Sequence, residues 1–512
     1  MSQQERAGPS GDFPENTGTS LDSAYGLYQW IGLVVGFVLF FVLLLAPVPV
    51  GLTLPAWRTA AVGVLMAVWW MTEAIPIPVT ALLPLVLFPV LGISSIGEAA
   101  SPFANPLIFL YLGGFIIAVA MERWNLHRRI ALNLIRLIGV RPRSIIASFM
   151  ISTAFLSMWV SNTATALMML PIGLSVVHLA GGKKGRGGGE ASNFAVALML
   201  AIAYAASIGG MATIIGTPTT AVLVGFMSET YGFDISFAEW MMVGLPLVVI
   251  GLPITHVVLT RFTYPVRLKE LVGGKALIDS ELRKLGRITR PEQMVAVIFV
   301  GVALLWITRP FLAAYIPGLS DTGIAMFGAV LLFLIPVDWR GGLFLLDWES
   351  AERIPWGVLL LFGGGLSLAA AISNTGLATW IGNSLSGIST WPILLIILLV
   401  AILIILLTEL TSNTATAAAF LPVVASVAIG IGQNPLMLAV PAVLAASCAF
   451  MLPVATPPNA VVYGSGFLTI PQMVRAGSVL NIIFMLLLTA FAYTLVTVVF
   501  DVQLGIVPPW AQ

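Results

Sequence analysis

Two near-identical stretches hold the residues best suited to binding chemistry. "SNTATALMMLP" occupies 161–171 and "SNTATAAAFLP" occupies 412–422. Each sets a hydroxyl, an amide and a second hydroxyl side by side within apolar sequence. Further along each half, "IGTPTTA" (215–221) is matched by "VATPPNA" (454–460). A proline there interrupts a helix, because it has no N–H and clashes with the preceding turn. The break frees carbonyl oxygens upstream and leaves exposed N–H groups where the next half-helix starts. Freed carbonyls and an Asn side-chain oxygen suit a desolvated Na⁺. A half-helix N-terminus flanked by hydroxyls suits a carboxylate or another oxyanion. A single SNT reads as back-bonding or small-residue packing within a membrane helix. Two copies, each paired with a TP break, read as one composite site for a cation and an anion.

The elements that position these residues must be membrane helices. Of the 512 residues 59% are hydrophobic and 9% charged, and the mean hydropathy is +1.03. Runs such as 29–48, 242–260 and 477–500 are nearly free of charge and long enough to cross about 30 Å of hydrocarbon. The chain therefore reads as an all-α polytopic membrane protein. The single Cys448 excludes a disulfide framework and a cysteine metal cluster. Residues 1–24 are polar, rich in Gly and Ser, and read as a disordered cytoplasmic tail rather than a signal peptide. Nothing points to a nucleic-acid partner; the partners are the bilayer and a small anion.

Basic residues are clumped. Six Arg lie in 121–143, "KKGR" occupies 183–186, and eight Lys and Arg lie in 261–290. The positive-inside rule makes these segments cytoplasmic, with the N-terminus inside and the C-terminus outside a cell (inner) membrane. The first SNT motif then sits at the tip of a re-entrant hairpin entering from the cytoplasm (144–180). The second, in 391–433, has flanks without positive charge, so its hairpin enters from outside. The two SNT motifs are 251 residues apart, as are "FLYLGGFIIAVAMERWNL" (109–126) and "LLFGGGLSLAAAISNTGL" (360–377). The TP motifs follow at an offset of 239. Like motifs in like order, approached from opposite faces, predict an inverted repeat of about eleven spans plus two hairpins.

The resulting layout assigns 25–122 and 292–371 to a scaffold and 144–260 and 391–505 to a transport domain. Arm helices at 123–143 and 372–390 and a cytoplasmic linker at 261–291 join them. Spans are expected near 76–92 and 322–337 among others, with helix breaks at 216–220 and 455–459. The glycines at 113–114 and 363–365 are read as close helix packing. Glu409, the only charge between Arg353 and Arg475, is read as a hydrogen-bonding group within its hairpin, with a proton relay as the alternative. His127, His178 and His256 fall at span ends and are read as interfacial.

The paired SNT, its second context "TELTSNTATAAAFLP" and the break "MLPVATPPNA" resemble the divalent anion/sodium symporter family of di- and tricarboxylate and sulfate transporters. The resemblance covers the chain beyond its N-terminal tail. It implies a homodimer with a fixed scaffold and an elevator-like transport domain. It implies one Na⁺ site at Ser157, Ser161, Asn162 and Gly216, and another at Thr408, Ser412, Asn413 and Ala455, with Gly216 and Ala455 offering carbonyls. Substrate carboxylates would meet Ser161, Asn162, Thr163, Thr217 and Pro218 and their counterparts Ser412, Asn413, Thr414, Thr456 and Pro457. The first break departs from the pattern: Thr219 and Thr220 stand where many relatives carry Pro and Asn, which bears on the choice of anion.

Some members of that family are exchangers in which basic side chains replace the bound cations. Neither SNT motif and neither break contains Lys, Arg or His. Two carboxylates buried without compensation are costly, and co-bound Na⁺ supplies the missing charge. The reading is a Na⁺-coupled symporter of C4-dicarboxylates such as succinate, malate and fumarate. Exchange without Na⁺, or Na⁺/sulfate symport, is the alternative. An intramembrane hydrolase would need a base beside Ser or Thr, and none accompanies either motif. No phosphate-binding loop is present.

Overall fold

The structure is a computed structural model. It describes residues 26–511 apart from Val140, 182–189, Lys269, Val272 and Leu385. The expected tail (1–24) and the basic "KKGR" segment lie outside the described residues. Among those described, nine helices are long and apolar enough to cross a membrane. The most enclosed is Ala191–Gly210, 83% buried, and the most exposed is Leu27–Leu45, 17% buried. An apolar helix that leaves most of its surface outside the protein core needs lipid around it.

Helix starts follow ordinary capping chemistry. Ser236 with Glu239 and Thr289 with Glu292 form capping boxes at the starts of Phe237–Val257 and Arg290–Leu312. Both halves carry a helix–turn–helix pair ending in the SNT motif: Pro142–Ser157 with Asn162–Leu179, and Ile393–Thr408 with Asn413–Gly430. An interrupted helix follows each: Glu190–Gly210 resumes at Pro218–Tyr231, and Leu436–Ala446 resumes at Pro457–Gly464. Each half then adds a long helix that ends in a π-helical turn, Val258–Thr263 in one and Ala492–Val496 in the other.

Three expectations shift. The breaks lie upstream of the predicted 216–220 and 455–459. Helix stops at Gly210 and Ala446, and Pro218 and Pro457 each open the next half-helix at its first position. Proline suits that position because its missing N–H would be unpaired there anyway. The span expected at 76–92 is two short helices, Ile77–Thr80 and Leu83–Val90, each with a proline in its first turn. A small antiparallel hairpin, Pro336–Asp338 with Leu343–Phe344, interrupts the otherwise helical chain.

The glycine pairs pack as expected. A Cβ on Gly113 would lie 2.7 Å from the Ala325 backbone, and one on Gly364 would lie 2.1 Å from the Ala81 carbonyl. The arm helix Leu126–Ile138 buries Leu126, Ala131, Leu132 and Ile135 on one side. Its other side pairs with the linker region: Arg128 with Glu281, Arg129 with Glu292 and Arg136 with Asp279.

Candidate functional site

Both helix–turn–helix tips and both breaks converge on one cavity of about 1100 Å³. Ser161, Asn162, Thr163, Thr217 and Pro218 line it from the first half. Ser412, Asn413, Thr414, Thr456 and Pro457 line it from the second, together with Gly216 and Ala455. Ser157 and Thr408 are fully buried and sit one layer behind, each on the asparagine of its own motif.

The two layers behind the cavity have the same chemistry. Ser157 Oγ lies 2.5 Å from Asn162 Oδ1 and 2.8 Å from the Ala206 carbonyl. Thr408 Oγ1 lies 2.7 Å from Asn413 Oδ1 and 2.8 Å from the Ala446 carbonyl. A hydroxyl has one proton, so it can donate to only one of its two acceptors. Each cluster therefore holds more oxygen lone pairs than protons to share among them. In the first cluster the amide can resolve this by turning. Its nitrogen then has Ser157 Oγ (2.5 Å), Ala206 O (3.1 Å) and Gly216 O (3.2 Å) within reach of its two protons. With the oxygen inward, the cluster is made of oxygens alone, a donor set that suits a hard cation.

Gly216 contributes more than a carbonyl. A Cβ there would fall 2.4 Å from the Gly210 carbonyl and 2.9 Å from the Ser157 carbonyl. The position is therefore closed to any side chain, which a residue offering only a carbonyl would not require. Ala455, its counterpart, already carries a Cβ.

The helix starts at the cavity are capped in a diagonal pattern. Ser161 Oγ accepts from Ala164 N, and Thr456 Oγ1 accepts from Asn459 N. Ser412 and Thr217 make no side-chain cap to their helices. The helices starting at Asn413 and Pro218 thus keep N–H groups free of side-chain caps, one on each side of the cavity.

The breaks themselves are tied differently. In the first, Tyr111 donates its hydroxyl toward Ile214 O and Thr217 O, Thr213 donates to Met158 O, and Trp240 Nε1 donates to Met211 O. In the second, the Glu409 carboxylate accepts from Phe450 N (2.7 Å), Met451 N (2.9 Å), Leu452 N (3.1 Å) and Asn481 Nδ2 (2.7 Å). Glu409 is a hydrogen-bonding group, but its partners belong to the break and the last long helix rather than to its own helix pair. Asn459 Nδ2 adds bonds to Ala449 O and Leu452 O.

Thr219 bonds Ser447 at 2.7 Å across the two halves, while Thr220 Oγ1 is buried without a partner. Neither lines the cavity, and Thr220 does not reproduce the bonds that Asn459 makes at the matching position. The three histidines also lie off the cavity wall. His127 contacts Met121 O, His256 contacts Arg143 O, and His178 packs on Phe467.

Three residues with acidic or basic side chains line the cavity beyond the motifs: Glu73, Glu122 and Arg353. Glu73 ends its helix in the left-handed region, φ 48°, a strained backbone for a glutamate. Arg353 was not legible as a cavity residue, because it lies in the segment before Trp356–Asn374, far in sequence from either motif. Among the described residues its side chain makes no ion pair, and it is the only Lys, Arg or His in the lining.

Comparison with known proteins gives the family and the fold. The family described as the sodium:sulfate symporter transmembrane region matches residues 27–501. The sodium-dependent dicarboxylate transporter SdcS of Staphylococcus aureus is 45% identical over 483 residues, covering 93% of each chain, in strain USA300 and equally in strain MRSA252. Among solved structures, the Alcanivorax borkumensis YdaH transporter superposes with a TM-score of 0.57 at 14% identity, over 90% of this chain and 96% of that one. The Neisseria gonorrhoeae MtrF structure gives 0.53 at 11% identity, over 91% of this chain and 92% of its own. These two distant structures speak for the fold alone. The chain belongs to the sodium:sulfate symporter family, and is a membrane transport protein rather than an enzyme.

Proposed function

We propose that this protein is a Na⁺-coupled symporter of C4-dicarboxylates such as succinate, malate and fumarate. The observation that carries the reading is the pair of oxygen-surplus clusters beside a cavity lined by both SNT motifs. Na⁺ is the coupling ion. Ser157, Ser161, Asn162 and Gly216 would hold one ion, and Thr408, Ser412, Asn413 and Ala455 the other. In the first cluster the Asn162 amide turns its oxygen inward when the ion arrives. Two cations just behind the wall create the positive potential that a dianion needs, and the uncapped ends at Asn413 and Pro218 offer N–H groups to its two carboxylates. The name of the Staphylococcus relative supports dicarboxylate over sulfate.

The larger architecture follows the same proposal. Eleven spans and two re-entrant hairpins form an inverted repeat. Residues 25–122 and 292–371 act as the scaffold of a homodimer, and 144–260 with 391–505 move as the transport domain of an elevator. With the arginine-rich arm on the cytoplasmic side, Glu73, Glu122 and Arg353 border the cavity toward the cytoplasm.

Arg353 raises the exchange reading again, since it is a built-in cation. Its side chain has no hydrogen bond to either cluster, so it does not stand in for the bound ions. Uptake of labelled succinate into proteoliposomes separates the two. Symport requires an inward Na⁺ gradient and no internal substrate. Uptake that ignores Na⁺ but needs internal dicarboxylate would make the protein an exchanger.

A further inference from the structure

A second cleft, of about 510 Å³, lies between the arm helix and the linker helix Gly274–Leu285. Arg129, Asn133, Arg136, Asp279, Arg283 and Arg287 line it. Its charge does not balance. Arg129 is consumed by Glu292 and by the carbonyls of Leu285 and Gly286, and Arg136 by Asp279. Arg283 and Arg287 have no carboxylate partner among the described residues, so the cleft keeps two uncompensated guanidinium groups.

The surroundings say which anion this is for. Leu137, next to Arg136, is 80% exposed, and Ile288, next to Arg287, is 45% exposed. Arginines beside bare aliphatic side chains, one pair on the amphipathic arm helix and the other in the loop between the linker helix and the span that starts at Arg290, place the cleft at the level of lipid headgroups. A soluble anion would gain nothing from the leucine and isoleucine. A phosphodiester with acyl chains would use both, its phosphate on the guanidinium forks and its chains along the apolar rim.

We propose that this cleft binds the headgroup of an anionic phospholipid, joining the arm that leads into the first helix pair to the linker between the halves. The inference goes beyond the transport reading and does not depend on the identity of the substrate. It is tested on the purified full-length protein by native mass spectrometry, titrating short-chain phosphatidylglycerol against phosphatidylcholine. The wild type should prefer phosphatidylglycerol. Arg283→Gln/Arg287→Gln should weaken that binding about fivefold for each arginine removed. Arg267→Gln/Lys275→Gln removes the same charge from the linker outside the cleft and should bind as the wild type does. Equal binding by the cleft variant, or equal loss in both variants, would overturn the proposal. So would displacement of the lipid by inorganic phosphate at millimolar concentration, which would reassign the cleft to a soluble anion.

Discussion

The first and second breaks start from one motif and are secured by different means. Behind the first, neutral groups hold the unwound backbone: a tyrosine hydroxyl and an indole N–H donate to its carbonyls, and the Thr213 hydroxyl accepts from Gly216 N and donates to Met158 O. Behind the second, a buried carboxylate gathers three consecutive backbone N–H groups and one amide. At the position of Glu409 the first half has Met158, which can offer none of this. Charge-assisted bonds are about twice as strong as neutral ones, so the second break is preformed and the first is adaptable. The Asn162 amide fits this contrast, because it has two serviceable orientations. The comparison teaches that sequence symmetry at the ligands does not imply equal rigidity behind them.

The largest effect falls on the proposed cation sites, where both halves should respond alike. Asn162→Ala and Asn413→Ala remove a proposed cation ligand from either side and should abolish Na⁺-driven uptake while the protein still inserts. A charged contact of this kind is worth about 1.5–3 kcal/mol, so half-saturation by Na⁺ should rise about 10- to 150-fold wherever uptake is still measurable. Normal uptake by either variant would mean that the asparagines are not ligands.

Next in size, Glu409→Gln should weaken the clamp on the second break, because one of its two accepting oxygens becomes an NH₂ that faces backbone N–H groups. Buried N–H groups left without an acceptor cost about 1–3 kcal/mol each, so melting in detergent should fall well below the wild type. Thr213→Val at the first break removes two neutral bonds, to Met158 O and from Gly216 N, each worth roughly 1 kcal/mol. Thermal shifts of equal size in the two variants would erase the proposed difference in rigidity. Gly216→Ala against Ala455→Gly repeats the comparison at the ligands. The added Cβ at Gly216 collides with the Gly210 carbonyl and should weaken Na⁺ binding at least tenfold, while Ala455→Gly should change it about twofold or less.

Much of the fold was legible because membrane spans declare themselves by length and charge, and because the SNT motif is written twice. All ten expected substrate residues line one cavity. What the sequence could not convey was contact between distant segments. Nothing near Glu409 in the chain points to Phe450, Met451 and Leu452, and nothing near Arg353 points to a cavity bounded by motifs at 161 and 412. The breaks were displaced because a TP pair was read as the interruption itself, whereas its proline starts the new half-helix.

Arg353 tests whether the cavity's two-fold pattern extends to its charge. Only one arginine lines it, so Arg353→Gln should raise the apparent KM for succinate about fivefold, and less for a monoanionic analogue, with Na⁺ dependence unchanged. A parallel shift in Na⁺ dependence would place this arginine among the groups that tune the cation sites.

The smallest effect separates the two arms. The first is pinned to the linker by Glu281, which bonds Lys284 and Arg128. The Lys284 hydrogen bond holds the Glu281 carboxyl below the ordinary glutamate range, against the opposing pull of its burial. The second arm, Leu377–Ser384, is tied instead by a neutral bond from Trp380 Nε1 to Val50 O. Because the folded-state pKa of Glu281 is depressed, its contribution is fully present above the ordinary glutamate value and is lost as pH falls through the folded one. Exposed pairs of this kind contribute about 0–1 kcal/mol. Hydrogen exchange should therefore show amides of the first arm loosening slightly in mild acid, while those of the second arm stay unchanged. Equal loosening of both arms would mean that the ion pairs are not what fixes the first.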